Sequence, residues 1–424
     1  MKYAVVNLGC KVNRVESDAF ASSLDAHGAT SCDAADADLI VVNTCTVTGE
    51  AEKKTRKAVR GALRANDRAT VIVTGCAAAI DKDTFLAMDP RVRVMGKAEL
   101  ASSIDAGAWG LDAAAHGPAL PVGEGYRTRV GVKVQDGCNN ACTYCVVHVA
   151  RGKATSVDPC QVVRQCRALA GAGVKEIVLT GINLGSYRWR DEETGEATGL
   201  ADLLRMLLEE TADLHEEEEC PVRFRVSSVE PRDVHDDLVE VLATAGGRVC
   251  RHLHLPLQSG NSKVLREMHR PYSAEHFEAI VANLYERVPE LSLSTDIICG
   301  FPGETEGEFE DTLRVARTCR FSKIHVFPYS KREGTPAAAR IDQVPPGVKA
   351  DRAQRLRDLG DLLRDKEREA RKGTRELAIV EEEGIALTES YFEVPVPKNA
   401  KAGEMIEVTL WLGFPAVQDE RSPK

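Results

Sequence analysis

Short apolar runs alternate with longer amphipathic stretches along almost the whole chain. In its first part, apolar runs at residues 3–8, 38–42, 70–73 and 92–95 are each followed by a polar turn and a stretch with helical periodicity. Continuous Val, Ile and Leu runs separated by helices are typical of parallel strands that are covered on both faces. The pattern therefore predicts an α/β domain with a parallel sheet over residues 1–116.

A second α/β series follows an Ala-, Gly- and Pro-rich stretch at residues 113–125, which we interpret as a linker. Its six predicted strands span residues 129–134, 176–179, 223–227, 253–257, 292–298 and 323–327. Helical stretches at 159–171, 200–210 and 274–287 lie between them. This alternation predicts a second domain over residues 124–348, and it is compatible with either an open barrel or a doubly wound sheet.

The pattern changes again after residue 348. Residues 349–373 predict a charged linker helix, and residues 349–372 carry nine basic and six acidic side chains. Beyond it, short β segments at 377–380, 391–396 and 405–412 are separated by turns. This arrangement predicts a small β-barrel domain over residues 374–424.

Charge and cysteine content narrow the class of protein. The net charge of -10 argues against a surface that is basic throughout, although it leaves room for a local basic stripe. Thirteen cysteines, an odd number, do not suggest a secreted disulfide framework, and clustered cysteines in a reducing compartment indicate metal or redox chemistry. The chain shows neither an apolar run of about 18 residues nor a signal-peptide cleavage pattern, so we expect a cytoplasmic protein without a membrane span.

The strongest local signal is a C-x3-C-x2-C cluster formed by Cys138, Cys142 and Cys145. Three thiolates on one tight loop can hold three irons of a [4Fe–4S] cluster, which leaves the fourth iron open to a substrate or cosubstrate. A zinc site that includes His148 is an alternative. Thioredoxin-like chemistry at the last two cysteines is a weaker alternative, because it does not explain Cys138.

Three more cysteines occupy equivalent places in the first domain. Cys10, Cys45 and Cys76 each follow a predicted strand directly, although about thirty residues separate them. Because the carboxyl ends of parallel strands meet at one edge of a sheet, these thiols are expected to converge. A lone cysteine at such a place is usually a small buried apolar residue, but three at equivalent places favour a metal site.

Several segments together resemble the radical S-adenosylmethionine methylthiotransferase family over essentially the whole chain. They are NLGCKVN at 7–13 with Glu16 and Ser17 following, VNTCTVT at 42–48, VTGC at 73–76, VQDGCNNACTYCVVHVARG at 134–152, SSVEP at 227–231, HLPLQSG at 254–260 and DIICGFPGET at 296–305. The resemblance implies an α/β fold with a central radical-SAM partial (β/α)6 barrel and a C-terminal TRAM-like barrel.

The start GCKVN, with KIHVFPYS at 323–330 and GTPAA at 334–338, is closest to one branch of this family. That branch modifies carbon 2 of N6-threonylcarbamoyladenosine at position 37 of tRNA, whereas the branch acting on isopentenyl-adenosine typically has Gln-Met in place of Lys11-Val12. Three alternatives remain open. They are the isopentenyl-adenosine substrate, an aspartate of a ribosomal protein, and a non-catalytic iron–sulfur protein that binds RNA or transfers electrons.

The resemblance also implies cofactors and site residues. Two [4Fe–4S] clusters are expected, a radical-generating one at Cys138, Cys142 and Cys145 and a sulfur-donating one at Cys10, Cys45 and Cys76. A low-potential electron donor is expected to reduce the first of them, so that S-adenosyl-L-methionine yields the radical that removes the hydrogen at carbon 2. The implied S-adenosylmethionine pocket comprises Tyr144, Gly181, Asn183, Ser228, Glu230, Gln258 and Gly300.

A tRNA substrate also needs a basic surface. Lys53, Lys57, Arg60 and Arg64 recur at helical spacing after the Cys45 strand, and residues 51–70 hold seven basic and two acidic side chains. We predict that these four residues and Arg151 contact the anticodon stem-loop, although a solvated helix face would show the same pattern. Residues 374–424 hold five basic and ten acidic side chains, which weakens the case for RNA binding there.

Overall fold

The computed structural model describes residues 1–46, 49–111, 120–123, 126–214 and 222–410. The predicted linker at 113–125 and the end of the predicted strand at 405–412 therefore fall largely outside the described residues.

The first region contains one parallel sheet. Its strands are β1 (Lys2–Asn7), β2 (Thr30–Ser31), β3 (Leu39–Thr44), β4 (Thr70–Gly75) and β5 (Val92–Val94). They pair in the order β2-β1-β3-β4-β5, with every pair parallel. The four predicted strands are confirmed with small shifts of their ends, whereas β2 has only two residues and is too short to produce an apolar run. The sheet order reverses between β1 and β3, which is where open α/β sheets bind ligands.

Helices cover both faces of this sheet. They are α1 (Lys11–Ala26), α2 (Gly49–Ala65), α3 (Cys76–Ile80), α4 (Lys82–Leu86) and α5 (Lys97–Asp105). On one face Val59 and Phe85 belong to a core cluster with Ile40. On the other face Leu24 and Leu100 belong to a second core cluster. The continuous apolar strands follow from this two-sided burial.

The described residues of the second region contain ten short strands. They are β6 (Arg129–Lys133), β7 (Gln135–Asp136), β8 (Thr155–Ser156), β9 (Glu176–Thr180), β10 (Arg188–Arg190), β11 (Ala197–Gly199), β12 (Arg223–Val226), β13 (His252–His254), β14 (Ser292–Cys299) and, as the tenth and last, β15 (Lys323–Pro328). Six of them form two parallel sheets, β6-β9-β12 and β13-β14-β15.

Isolated parallel bridges at Phe224–Val249 and Ser228–His254 connect the two parallel sheets of this region. The six strands therefore follow one another in chain order, without the reversal that a doubly wound sheet requires. This order decides between the two predicted shapes in favour of the open barrel.

The helices of the second and third regions lie mostly where the pattern predicts them. They are α6 (Val147–Arg151), α7 (Pro159–Gly171), α8 (Leu200–Glu210), α9 (Asp236–Thr244), α10 (Ser262–Glu267), α11 (Ala274–Arg287), α12 (Glu306–Thr318), α13 (Pro336–Ala339) and α14 (Pro346–Ala370). The predicted charged helix thus begins three residues earlier than expected, because Pro346 occupies its first turn. Among the described residues, none of these helices or of α1–α5 is both long and apolar enough to cross a lipid bilayer.

One predicted strand of the barrel is too long. The run at 253–257 predicts a strand to Leu257, but β13 ends at His254. Pro256 has no backbone N–H to donate to the neighbouring strand, and Leu257 donates its N–H to the Thr295 side chain instead.

The interior of the open barrel is polar. Along β6, Val130 and Val132 belong to the core shared with the outer helices, so Gly131 and Lys133 face the interior. At its base, the fully buried Glu176 carboxylate pairs with Arg223 and Arg225. Burial alone would raise the pKa of Glu176, but the two guanidinium groups outweigh it and lower the pKa far below its ordinary value.

The last region is an antiparallel sheet that contacts the base of the barrel. Its strands are β16 (Arg375–Glu382), β17 (Ile385–Thr388), β18 (Glu393–Pro395) and β19 (Met405–Thr409), in the order β18-β17-β16-β19. The strand β17 was not predicted, and the strand predicted at 391–396 begins only at Glu393. Tyr391 has a φ of +72°, which places it in a turn, and its ring stacks on His252 with centroids 4.6 Å apart.

Candidate active site

The loops that carry Cys10, Cys45 and Cys76 follow three neighbouring strands, β1, β3 and β4. Gly9 has a φ of +98°, and a Cβ atom there would overlap the Cys45 side chain. The absence of a side chain at Gly9 therefore lets the Cys45 thiol lie directly against the loop that carries Cys10. The sequence prediction that these three thiols follow adjacent strand ends agrees with this geometry.

Buried side chains tie the three loops together. The Asn13 amide donates to the carbonyls of Leu8 and Thr44, at 2.8 Å each. The Asn43 amide donates to the Asn13 carbonyl at 2.9 Å. The Thr44 hydroxyl donates to the Thr74 carbonyl and accepts from the N–H of Ala78 in α3. Because these bonds connect all three strand ends, the positions of the thiols are fixed by the fold.

The loop at residues 137–147 holds the other three thiols, and each of their sulfurs accepts an N–H. The Asn140 amide donates to Cys138 Sγ and the Val147 amide to Cys145 Sγ, both at 3.4 Å. The Arg270 guanidinium donates to Cys142 Sγ at 3.2 Å. Burial raises the pKa of the free Cys145 thiol to about 11, so a metal bound there would have to displace its proton.

Arg270 links the Cys142 thiol to a second polar group. It forms an ion pair with Glu230 and donates to the Tyr272 hydroxyl at 3.1 Å. Burial raises the pKa of Glu230, although Arg270 opposes this shift. The guanidinium of Arg270 therefore connects the predicted pocket residue Glu230 to the cysteine loop.

A cavity of about 160 Å³ lies beside this loop. Of the seven predicted pocket residues, Tyr144 and Gln258 line it, together with Cys145, Asp296, Ile298, Phe327, Tyr329 and Arg332. The Tyr144 ring meets Phe301 edge to face, with centroids 6.5 Å apart. The cavity thus combines an aromatic wall with a few polar groups, as small-molecule sites do.

The other predicted pocket residues lie outside the lining of this cavity. Both polar atoms of the Asn183 amide are buried without a hydrogen-bond partner among the described residues. The N–H of Asn183 donates to Gln135 Oε1 at 2.8 Å, and a Cβ atom at Gly181 would lie 2.8 Å from the same oxygen. Ser228 forms the bridge to His254.

Gly300 has a structural reason to be glycine. Its φ is +69°, its N–H donates to Glu304 at 2.6 Å, and a Cβ atom there would lie 2.5 Å from the Lys349 side chain. Close packing against α14 therefore explains this residue without a ligand.

One buried arginine connects the two groups of thiols. Arg151, at the end of α6, donates through Nε to Cys76 Sγ at 3.2 Å and through Nη2 to Asn13 Oδ1 at 2.6 Å. Its Nη1 atom donates to Glu16 at 3.0 Å and to Asp136 at 2.9 Å. The guanidinium therefore contacts the first sheet and the barrel at once, and only 3% of its side chain is exposed.

The carboxylates around Arg151 are held ionised. Lys133 contacts both Glu16 and Asp136, at 3.0 and 2.9 Å, and Lys97 pairs with Glu16 as well. Burial alone would raise the pKa of Asp136, but Arg151 and Lys133 outweigh it and lower the pKa to about 2. Burial alone would also raise the pKa of Glu16, but Lys97, Arg151 and Lys133 outweigh it and lower the pKa.

A second arginine crosses between the regions near Cys45. Arg332 lines the cavity beside Cys145, and its Nη2 atom donates to both the carbonyl and the hydroxyl of Thr46. Its Nη1 atom lies 3.4 Å from Glu52 in α2. Arg151 and Arg332 thus connect two of the three strand-end loops to the barrel.

Comparisons with known proteins agree with this arrangement. The model of the Radical SAM superfamily matches residues 132–316, and that of the "Uncharacterized protein family UPF0004" matches residues 2–96. The chain is 38% identical to the threonylcarbamoyladenosine tRNA methylthiotransferase MtaB of Bacillus subtilis over 90% of this chain and 85% of that protein. The chain belongs to the radical S-adenosylmethionine methylthiotransferase family.

Two further matches widen the comparison. The tRNA-2-methylthio-N(6)-dimethylallyladenosine synthase of Endomicrobium trichonymphae is 33% identical over 81% of this chain and 80% of its own length. The radical S-adenosylmethionine methyltransferase TsrM of Kitasatospora setae superposes with a TM-score of 0.53 at 16% identity, covering 80% of this chain and 75% of that one. This second likeness shows the fold alone.

Methylthiotransferases of this family use [4Fe–4S] clusters and S-adenosylmethionine, and the site has the donor chemistry for them. It offers six thiols, and iron–sulfur clusters are held by thiolates. Among the described residues, no three of these thiols have sulfurs within 4.8 Å of one another, and His148 joins no such group. The unpartnered Asn183 amide is a further group that a bound ligand would satisfy.

The predicted basic surface is present on α2, but it does not include Arg151. Lys53, Lys57, Arg60 and Arg64 are exposed, while Thr55, Val59 and Ala62 on the opposite face are buried. None of the four pairs with a carboxylate within the described part of the chain. The prediction that Arg151 contacts RNA requires a correction, because its guanidinium is buried and its N–H groups are engaged by Cys76, Asn13, Glu16 and Asp136.

The sequence reasoning missed the charged residues that connect the site. For Glu16 a signal existed, because it lies on the face of α1 that also carries the buried Val12 and Phe20. A carboxylate on an apolar helix face requires a partner. Arg270 and Arg332 gave no such signal, since their partners are 128 and 286 residues away.

We predict that Arg151→Met loosens the contact between the first sheet and the barrel. The change leaves Glu16 and Asp136 with one cation fewer in a buried setting, which costs about 3 kcal/mol and corresponds to a ~100-fold change in a local opening equilibrium. Hydrogen exchange measured by mass spectrometry should show α1 and α3 exchanging faster by about that factor. Arg167→Met, which removes an exposed pair with Asp213, is the matched control and should leave both helices unchanged. Equal exchange in the two variants would contradict the bridging role of Arg151.

Proposed function

We propose that this methylthiotransferase inserts a methylthio group at carbon 2 of N6-threonylcarbamoyladenosine at position 37 of tRNA. The observation that carries the proposal is the guanidinium of Arg151, which contacts the Cys76 thiol of the first sheet and Asp136, the residue directly before the loop with the other three thiols. Relatives in Bacillus subtilis and Thermotoga maritima, at 38% and 34% identity, bear the name threonylcarbamoyladenosine tRNA methylthiotransferase.

We assign one cluster to each group of three cysteines. Cys138, Cys142 and Cys145 would hold the radical-generating cluster, and the three N–H donors to their sulfurs support this role, because hydrogen bonds to sulfur tune such clusters. Cys10, Cys45 and Cys76 would hold the sulfur-donating cluster, supported by the Arg151 contact to Cys76 Sγ. When bound, the clusters and S-adenosylmethionine supply the radical and the sulfur that no side chain provides.

The chain itself would position the cofactor. Tyr144 and Gln258 line the cavity beside Cys145, which supports a role for both in contacting S-adenosylmethionine. The unpartnered Asn183 amide would hydrogen-bond to the same cofactor. Arg270 keeps Glu230 paired next to Cys142. We retain Gly181, Ser228 and Gly300 as supports of this pocket rather than as groups that line it.

The dimethylallyl-modified adenosine is the second candidate substrate. The Endomicrobium trichonymphae relative, named for that nucleoside, is 33% identical to this chain. The barrel interior here is polar and holds His254, Asp296 and His325 close together. A polar interior suits the carboxyl and hydroxyl groups of a threonylcarbamoyl substituent better than a hydrocarbon arm. The ribosomal-protein substrate and the non-catalytic function gain no such support.

The remaining assignments complete the proposal. We propose domain boundaries at 1–116, 124–348, 349–373 and 374–424, a TRAM-like role for the C-terminal antiparallel sheet, and a cytoplasmic location. The partner is the anticodon stem-loop of tRNA, and a low-potential electron donor drives turnover.

Anaerobic reconstitution tests the function and the cluster assignment together. Wild-type protein should bind about eight irons and, with dithionite, S-adenosylmethionine and a threonylcarbamoylated stem-loop, release 5′-deoxyadenosine and the methylthio product. Cys10→Ala/Cys45→Ala/Cys76→Ala should bind about four irons, still release 5′-deoxyadenosine and make no methylthio product. Cys166→Ala, at a buried packing cysteine, is the control for loss of a thiol. If wild-type protein modifies only the dimethylallyl stem-loop, the proposed substrate is wrong.

The basic face of α2 gives a separate prediction for tRNA binding. Replacing Lys53, Lys57, Arg60 and Arg64 together by Gln should weaken binding and reduce the slope of log Kd against log salt by about 3, because each phosphate contact contributes about 0.7 to 0.9. Fluorescence anisotropy over a salt series measures this slope. The control replaces Lys366 and Lys372, both exposed, by Gln. An unchanged slope in the α2 variant would show that this face is only solvated.

A further inference from the structure

A small pocket of about 70 Å³ lies between α1, the inner face of β6 and β9, and Tyr391. Its charged lining consists of Lys11, Arg14, Arg127, Arg129 and Asp18. Four cations and one carboxylate give the lining side chains a net charge of +3. A concave site with this charge and volume suits a single small oxyanion.

Not all of these cations are neutralised by partners. Arg14 pairs with Asp18 at 2.9 Å, and Arg129 pairs with Glu381 at 2.7 Å. Lys11 has no carboxylate partner among the described residues, and its Nζ atom lies 5.4 Å from the centre of the Tyr391 ring. Arg127 also forms no ion pair in the described part of the chain, so Lys11 and Arg127 are the cations that the pocket leaves available for a ligand. Of the two, Lys11 directly follows Cys10.

The cations around the Tyr391 hydroxyl create a positive potential in this pocket. Burial alone would raise the pKa of Tyr391, but Lys11, Arg129 and Arg225 outweigh it and lower the pKa to about 8. A potential that favours a phenolate also favours a carboxylate.

The pocket lies next to the site of sulfur transfer. Lys11 directly follows Cys10 and is the first residue of α1. The opposite wall is formed by Gly131 and Thr180 on the inner face of the barrel, and Val15 of α1 packs so closely on Gly131 that a Cβ atom there would overlap it. A base whose carbon 2 is near the Cys10 loop would therefore have its substituent within reach of Lys11.

We propose that this pocket binds the carboxylate of the threonylcarbamoyl substituent through Lys11 and thereby selects that nucleoside. The inference rests on the proposed function, because it assigns a residue to the recognition of that substrate. A carboxylate gains a charge-assisted hydrogen bond from the ammonium. A dimethylallyl substituent has no acceptor and would leave the cation desolvated without a partner, which is the basis of discrimination.

The proposed contact between Lys11 and the carboxylate is tested by comparing two proteins on two substrates. The proteins are reconstituted wild type and Lys11→Gln, and the substrates are the threonylcarbamoylated stem-loop and its neutral methyl ester. We expect wild type to bind the acid at least ~10-fold more tightly than the ester by anisotropy, with kcat/KM following the same ratio. Lys11→Gln should bind the acid and the ester with equal affinity, and this affinity should be weaker than that of wild type for the acid. Lys366→Gln, an exposed lysine on α14, should behave as wild type.

The outcomes separate the inference from the function on which it rests. If Lys11→Gln weakens acid and ester equally while the wild-type preference for the acid persists, Lys11 contacts an RNA phosphate and the inference is overturned. If wild type makes the product without preferring the acid, the inference fails and the proposed function stands. If wild type makes no product from the acid, the function itself fails. Iron content and an upward shift of the Tyr391 phenolate titration, followed by absorbance, verify that Lys11→Gln is folded and changed only in the pocket.

Discussion

The arrangement of this protein depends on one buried guanidinium. Arg151 belongs to the barrel, yet it donates to a thiol, an amide and a carboxylate of the first sheet. Buried charges are costly unless they are paired and hydrogen-bonded. The carboxylates that Arg151 contacts have further partners of their own, Glu16 with Lys97 and Lys133 and Asp136 with Lys133. This mutual dependence fixes the distance between two thiol groups that are remote in sequence.

The two regions contribute different kinds of geometry to the site. The first sheet places three thiols at neighbouring strand ends, which is a general property of parallel sheets at a change of strand order. The barrel places three thiols on one loop and surrounds them with N–H donors. Its interior is polar, with Glu176 and two arginines paired at the base. The proposed reaction, in which one cluster generates a radical and the other donates sulfur to the base, needs both kinds of placement.

Much of this organisation could be predicted from the sequence, because apolar periodicity reports burial directly. Strands such as β3 and β9, and helices such as α7 and α11, appear where the pattern places them. The places of the six cysteines, three after neighbouring strands and three on one loop, could likewise be predicted from their spacing. The contacts of Arg151, Arg270 and Arg332 could not be predicted, since an arginine in a loop looks the same in sequence whether it faces solvent or a buried thiol. The basic spacing on α2 correctly predicted an exposed basic helix face. The same reasoning placed Arg151 on the RNA surface, although its side chain is buried.

Anomalous scattering at the iron edge from anaerobically reconstituted crystals tests the central claim most directly. The account predicts two separate iron peaks, one within bonding distance of Cys10, Cys45 and Cys76 and one at Cys138, Cys142 and Cys145, with the Arg151 guanidinium between them. A single peak, or a second peak away from the first three thiols, would contradict it.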